Sequence, residues 1–253
     1  QFVKYIFYDI LRSRFILLYM IFLLLTGIGM FQLDSDTSKV VLSLMNILLI
    51  VVPLVSVIFT TIHFYNSYEF IEMMLAQPIN RRIIFLAEYM AVSFSLALAF
   101  LAGLGIPMLF YGTDGSGLTL LYTGVALSLV FVSLAFLSSV LTRDKAKAIG
   151  IALLFWFYFT LIYDAFILWI VYSFSDYPLE QATLIFISLN PVDLARILMV
   201  LKLDISALMG YTGAFFREFF GSGFGFLFST VTLLVWIIIP TWFALSVFNR
   251  KDL

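Results

Sequence analysis

Five long stretches of the 253-residue chain contain no charged side chain: Phe15 to Leu33, Val40 to Ile62, Tyr89 to Tyr111, Leu118 to Leu141 and Phe224 to Phe248. A sixth, Ala148 to Phe174, is interrupted only by Asp164. About 20 apolar residues in a helix cross roughly 30 Å of hydrocarbon, so each stretch is long enough to span a bilayer. Backbone N–H and C=O groups cannot go unpaired in lipid, which restricts spanning structures to helices and closed barrels. Barrel strands read as short segments of alternating polarity, whereas these runs are unbroken. The expectation is an all-α integral membrane protein with six transmembrane helices, forming a single transmembrane domain over residues 1–253. Composition agrees, because 11% charged residues is well below the roughly 25% of soluble domains. The first stretch is longer than a signal-peptide core and lacks a small-residue cleavage site, so it reads as a retained helix.

The distribution of Lys and Arg sets an orientation. Ten of them (Lys4, Arg12, Arg14, Arg81, Arg82, Arg143, Lys145, Lys147, Arg250 and Lys251) fall on one side of the spans, and four (Lys39, Arg196, Lys202 and Arg217) on the other. The richer side is read as cytoplasmic and holds both termini. The turns "DSDTSK" and "GTDGSG" then face outward, as does the long segment 175–223. A net charge of −1 gives no electrostatic reason to bind nucleic acid. With no cysteine and one histidine, thiolate and imidazole metal clusters are not expected.

Charge is concentrated in "YNSYEFIEMMLAQPINRRIIFLAEY", Tyr65 to Tyr89. Its first half reads as a short helix stopped at Pro78, because the residue before a proline is pushed away from helical angles. On such a helix Glu69 and Glu72 share one face, with Phe70, Met73, Met74 and Leu75 supplying apolar surface. Arg81 and Arg82 follow where the next span enters the membrane, a position that suits anionic headgroups. Two readings stand: an interfacial helix with a positive anchor, or a docking element that passes movement from a soluble partner to the spans.

In the outward segment, "LNPVDLARILMVLKLD" is apolar, but Pro191, Asp193 and Arg196 argue against a span. Asn190 reads as an N-cap and Pro191 as the first helical residue, with Asp193 reaching back toward the cap and Arg196 as its i, i+3 partner. A helix lying on the outer membrane surface is expected, followed by an aromatic interfacial helix in "YTGAFFREFFGSGFGF". Within the membrane, Asp164 is expected to meet water, Tyr163, Tyr172 or another helix. Glu88 is expected to pair with Arg81 or Arg82 near the end of its span. His63, ending the second span, reads as an interfacial hydrogen-bonding residue.

The run "LAQPINRRIIFLAEY" behind a glutamate-bearing loop helix resembles the coupling segment of ABC-2-type transporter permeases. The resemblance covers nearly the whole chain and implies a cytoplasmic coupling loop at 63–85, packed against a separate ATPase subunit. Glu69, Glu72 and Leu75 would contact that partner, while Pro78, Arg81 and Arg82 form the turn and anchor. "LNPVDLARI" is similar to a motif of the permeases of the nitrous oxide reductase maturation (NosDFY) system. That likeness implies a homodimer in the inner (cytoplasmic) membrane, two NosF-like ABC ATPases and a NosD-like periplasmic protein. Asn190, Pro191, Asp193 and Arg196 would belong to the platform for the periplasmic partner. Within the family the alternative is an ABC-2 exporter of a lipid or hydrophobic compound.

No glycine-lysine pair occurs in the chain, so it lacks a phosphate-binding G-x-x-x-x-G-K-[ST] loop. The chain is therefore expected to be non-catalytic and without a cofactor, with ATP and Mg bound by the partner ATPase. An intramembrane enzyme using Asp164 and Glu88 would need those carboxylates together, and they lie toward opposite faces of the bilayer. Copper enters through the resemblance, since the maturation system supplies copper to the reductase. Of nine methionines only Met73 and Met74 lie within four residues of one another, and adjacent helical positions diverge by about 100°. With no ladder of soft sulfur ligands, the expectation is a subunit that transmits motion rather than conducts copper.

Overall fold

A computed structural model describes residues 6–8, 10, 12–34, 36–77, 79–111, 115–174, 180–202 and 223–250. The main helices are α1 (Arg14–Leu33), α2 (Thr37–Asn66), α3 (Tyr68–Leu75), α4 (Arg81–Tyr111), α5 (Gly115–Leu141), α6 (Lys145–Phe157), α7 (Tyr163–Ser173), α8 (Glu180–Leu189), α9 (Pro191–Lys202) and α10 (Gly223–Arg250). A π-helical turn, Tyr158–Ile162, joins α6 to α7 into one apolar rod. Six helical rods among the described residues are long and apolar enough to cross a membrane, at the six places the uncharged stretches occupy. Pro78 and the aromatic stretch through residue 222 lie outside the described residues, so expectations placed there have no structural counterpart.

α5 is the axis of the bundle, with 78% of its apolar window buried against 22% for α1, for α6–α7 and for α10. It packs on α2, α4, α6, α9 and α10, while α1 covers α4 on the opposite flank. Small residues permit the closest approaches. A side chain at Gly103 of α4 would come within 2.8 Å of Leu23 Cβ and 2.9 Å of the Met20 carbonyl oxygen on α1. Without a driving force between apolar helices in lipid, such backbone proximity is what holds spans together.

Pro53, Pro107 and Pro240 sit inside α2, α4 and α10 as expected. A proline removes an N–H and opens the preceding turn, and neighbours can meet the exposed carbonyls. Trp156 of α6 donates its indole N–H to the Ile50 carbonyl, 3.1 Å away in the turn before Pro53.

At the α3 end, aromatic rings from four spans meet. Phe136 of α5 contacts Phe64 of α2 and Phe85 and Tyr89 of α4, and Phe85 touches Phe248 of α10, with ring centroids between 5.4 and 5.8 Å apart. Edge-to-face pairs of this kind add about 1 kcal/mol each beyond the area they bury. Tyr89 also shares a hydrogen bond with Ser133 at 2.9 Å. This end is therefore cross-braced.

The segment before α10 departs from expectation. α9 does not lie on an outer surface: Val192, Leu194, Ala195 and Met199 are almost wholly buried. α8 and α9 form a helix–break–helix with a 114° bend at Asn190. Neither arm, at 10 and 12 residues and 1.5 Å per residue, can cross the hydrocarbon by itself. The pair reads as a re-entrant hairpin. Asp193 and Arg196 are tolerated there because they pair with each other, and Arg196 with Asp164, inside the fold, which sequence apolarity alone does not reveal.

Candidate functional site

Two regions gather the residues singled out by sequence. At one end, α3 begins one residue after α2, with the Ser67 N–H returning to the His63 carbonyl at 2.9 Å. Its pattern is amphipathic: Ile71 and Met74 are buried against the bundle, whereas Glu69, Glu72 and Met73 are exposed. Leu75 is half-buried and packs against the core, so it supports α3 from within more than it presents a surface. Tyr68 interacts with Glu72 one turn on, and burial first, then that carboxylate, push its hydroxyl pKa up. After the turn, the Asn80 side chain accepts from the Arg82 N–H at 3.0 Å and its carbonyl from Ile83 at 2.9 Å, starting α4. Arg81 is half-buried and Arg82 exposed, at the head of the span where they were expected.

The frame behind α3 is tied across helices. Tyr65, at the end of α2, reaches the Ser139 carbonyl at 3.3 Å and Thr142 at 3.0 Å beyond the end of α5. Lys145, opening α6, donates to Asn66 at 2.9 Å. Glu88 has a different partner from the one expected. Its carboxylate meets His63 Nε2 of α2 at 3.2 Å, and Glu88 is only 3% exposed. Arg81 and Arg82 stand at the helix mouth, whereas Glu88 is two turns deeper and turned inward, where the end of α2 supplies the donor. His63 also lies 3.4 Å from the Ser67 hydroxyl and stacks on Phe59. It hydrogen-bonds at the span end, as expected, and joins α2, the start of α3 and α4.

Toward the other end, the "LNPVDLAR" run builds a compact polar cluster. Asn190 Oδ1 accepts from the Val192 N–H at 3.0 Å, and its Nδ2 donates to Asp193 at 2.8 Å, so the N-cap forms as expected. The same Nδ2 donates to the Phe159 carbonyl at 2.9 Å, inside the π-helical turn. A π turn shifts the backbone ladder by one residue and exposes carbonyls, and such turns are common at functional places. Arg196 pairs with Asp193 as expected, and also with Asp164 of α7, both at 2.9 Å. Asp164 therefore meets another helix, the last of its four anticipated options. Asn190 and Asp193 are buried, and they brace α9 against the fifth span. Sequence had no signal for the Phe159 contact, which depends on a local change of helix type.

Six rods long and apolar enough to span, with an amphipathic helix set between the second and third, define a multi-pass membrane protein. A family model described as ABC-2 family transporter protein matches residues 45–253, and the chain belongs to that family. It is a multi-pass membrane protein and a permease subunit, and such a permease works with an ABC ATPase. Among curated relatives, it is similar to the probable ABC transporter permease protein NosY of Stutzerimonas stutzeri, with 24% identity over 276 aligned residues that cover 96% of this chain and 95% of the relative.

Proposed function

We propose that this chain is the inner-membrane permease of an ABC complex in which α3 receives the ATPase stroke. The observation that carries the reading is α3 itself: Glu69 and Glu72 point away from the bundle while Ile71 and Met74 anchor the helix to it. In this reading both termini and residues 63–85 face the cytoplasm, as the ten-to-four distribution of Lys and Arg favours. ATP and Mg bind to the partner, and Pro78, Arg81 and Arg82 fix the turn that passes movement into α4. Two permease chains and two NosF-like ATPases make the working unit.

The finer reading is that the stroke serves a periplasmic event, copper-site maturation of nitrous oxide reductase, through a NosD-like partner seated on the 175–223 side. Near full-length similarity to a NosY permease supports it, together with the "LNPVDLAR" run. No soft-ligand ladder for copper is evident in the sequence, which favours transmission of motion over conduction of the ion.

Co-expression with a NosF-like ABC ATPase tests the coupling step. The complex should co-purify, and the Glu69→Ala/Glu72→Ala pair should lower its ATPase rate at least fivefold without changing its thermal midpoint. Purification of the chain alone, or an unaltered ATPase rate, would overturn the reading. For the finer step, cells lacking this chain should yield nitrous oxide reductase deficient in copper; a fully loaded reductase removes the maturation role.

A further inference from the structure

A charged cluster also forms away from α3, between α7 and α9. Asp164 and Asp193 both contact Arg196 through the same nitrogen, Nη1, at 2.9 Å. Two carboxylates against one guanidinium leave a negative charge that no described residue balances, and poor hydration favours its neutralisation by a proton or a cation.

Space beside the cluster distinguishes these. A cavity of about 310 Å³ is lined by Asp164, Asp193 and Arg196 together with the apolar Ile167, Leu168 and Ile187. A proton needs no such room, and a single water needs about 15 Å³. The side chains of Asp164 and Arg196 are 29% and 35% exposed, so the cluster is reachable. Leu168 is exposed on α7, as are Trp169 and Tyr172. Asp164 lies about 24 Å along the span at 1.5 Å per residue, within reach of the span end that carries Trp169 and Tyr172 one to two turns further on.

We propose that this cavity binds the headgroup of an aminophospholipid, its primary ammonium on Asp164 and its phosphate on Arg196. Arg196 has N–H groups to spare: both aspartates use Nη1, and its remaining donors have no partner among the described residues. A guanidinium suits phosphate, and an ammonium donates directly to a carboxylate. Ile167, Leu168 and Ile187 would receive the first carbons of the acyl chains. The site does not depend on the ATPase, so it stands apart from the coupling reading.

The test is lipid retention by the full chain. Purified protein is exchanged into micelles doped with phosphatidylethanolamine, phosphatidylcholine or phosphatidylglycerol, repurified, and its bound lipid quantified by mass spectrometry. Phosphatidylethanolamine should be retained at least fivefold over the other two, because a quaternary amine cannot donate and phosphatidylglycerol has no amine. Asp164→Asn should lower that retention at least fivefold and Asp164→Glu should restore it. Leu168→Trp, which fills the cavity mouth without altering charge, should give the same loss if Asp164→Asn does not fold. Equal retention of the three lipids, preference for phosphatidylglycerol, or retention indifferent to these substitutions would overturn the proposal. Indifference would leave the cluster closed by a proton alone.

Discussion

At the scale of single residues, the buried polar contacts between helices are where substitutions cost most. Removing one partner of a buried hydrogen bond leaves the other desolvated, at about 1–3 kcal/mol. His63→Ala should therefore lower the thermal midpoint measured in detergent, since it strands the carboxylate of Glu88. Glu88→Gln should cost less, because an amide oxygen still accepts from the imidazole. Asn190→Ala should be the more damaging change, orphaning the Val192 N–H, the Phe159 carbonyl and one oxygen of Asp193 together. The cap alone is worth about 1 kcal/mol, so a loss well above that would show the π turn depends on Asn190. Sequence identified Asn190, Asp193 and Arg196 as a helix start because those contacts are local. It singled out His63 and Glu88 but could not pair them, since they come from different helices, 25 residues apart.

Among elements, the α1–α4 crossing offers a direct contrast. Gly103→Leu must push into the Met20 backbone, which cannot yield as a flexible side chain would. Overpacking of that kind costs about 1–3 kcal/mol. Gly29→Ala, in the same α1 but with nothing within 4 Å of the new carbon, should instead be neutral or raise the midpoint, as alanine is the better helix former. Thermal unfolding of both variants in one detergent checks the pair. Span positions were legible because an uncharged apolar run of that length has few other fates. The placement of α9 was not: its mean apolarity is modest, and its charges argued for the surface until Asp164 on a neighbouring helix proved to be their partner. The amphipathic face of α3 was readable from its spacing, apart from Leu75, whose packing depends on the bundle beneath it.

For the whole molecule, the absence of cysteine makes topology unusually open to measurement, since any introduced thiol is the only one. Met73→Cys, at a position 55% exposed on α3, should react with a membrane-impermeant maleimide only in inverted vesicles. Lys39→Cys, where the native side chain is 69% exposed in the first turn of α2, should react only in intact cells. The reverse pattern would invert the molecule and remove α3 from reach of any cytoplasmic ATPase. The 114° bend at Asn190 governs the same question by parity. A hairpin that enters and leaves through one face adds nothing to the number of crossings, so tags fused to the two ends should report the same compartment. Had those helices run straight, the count would be odd, and the last span would thread the bilayer backwards.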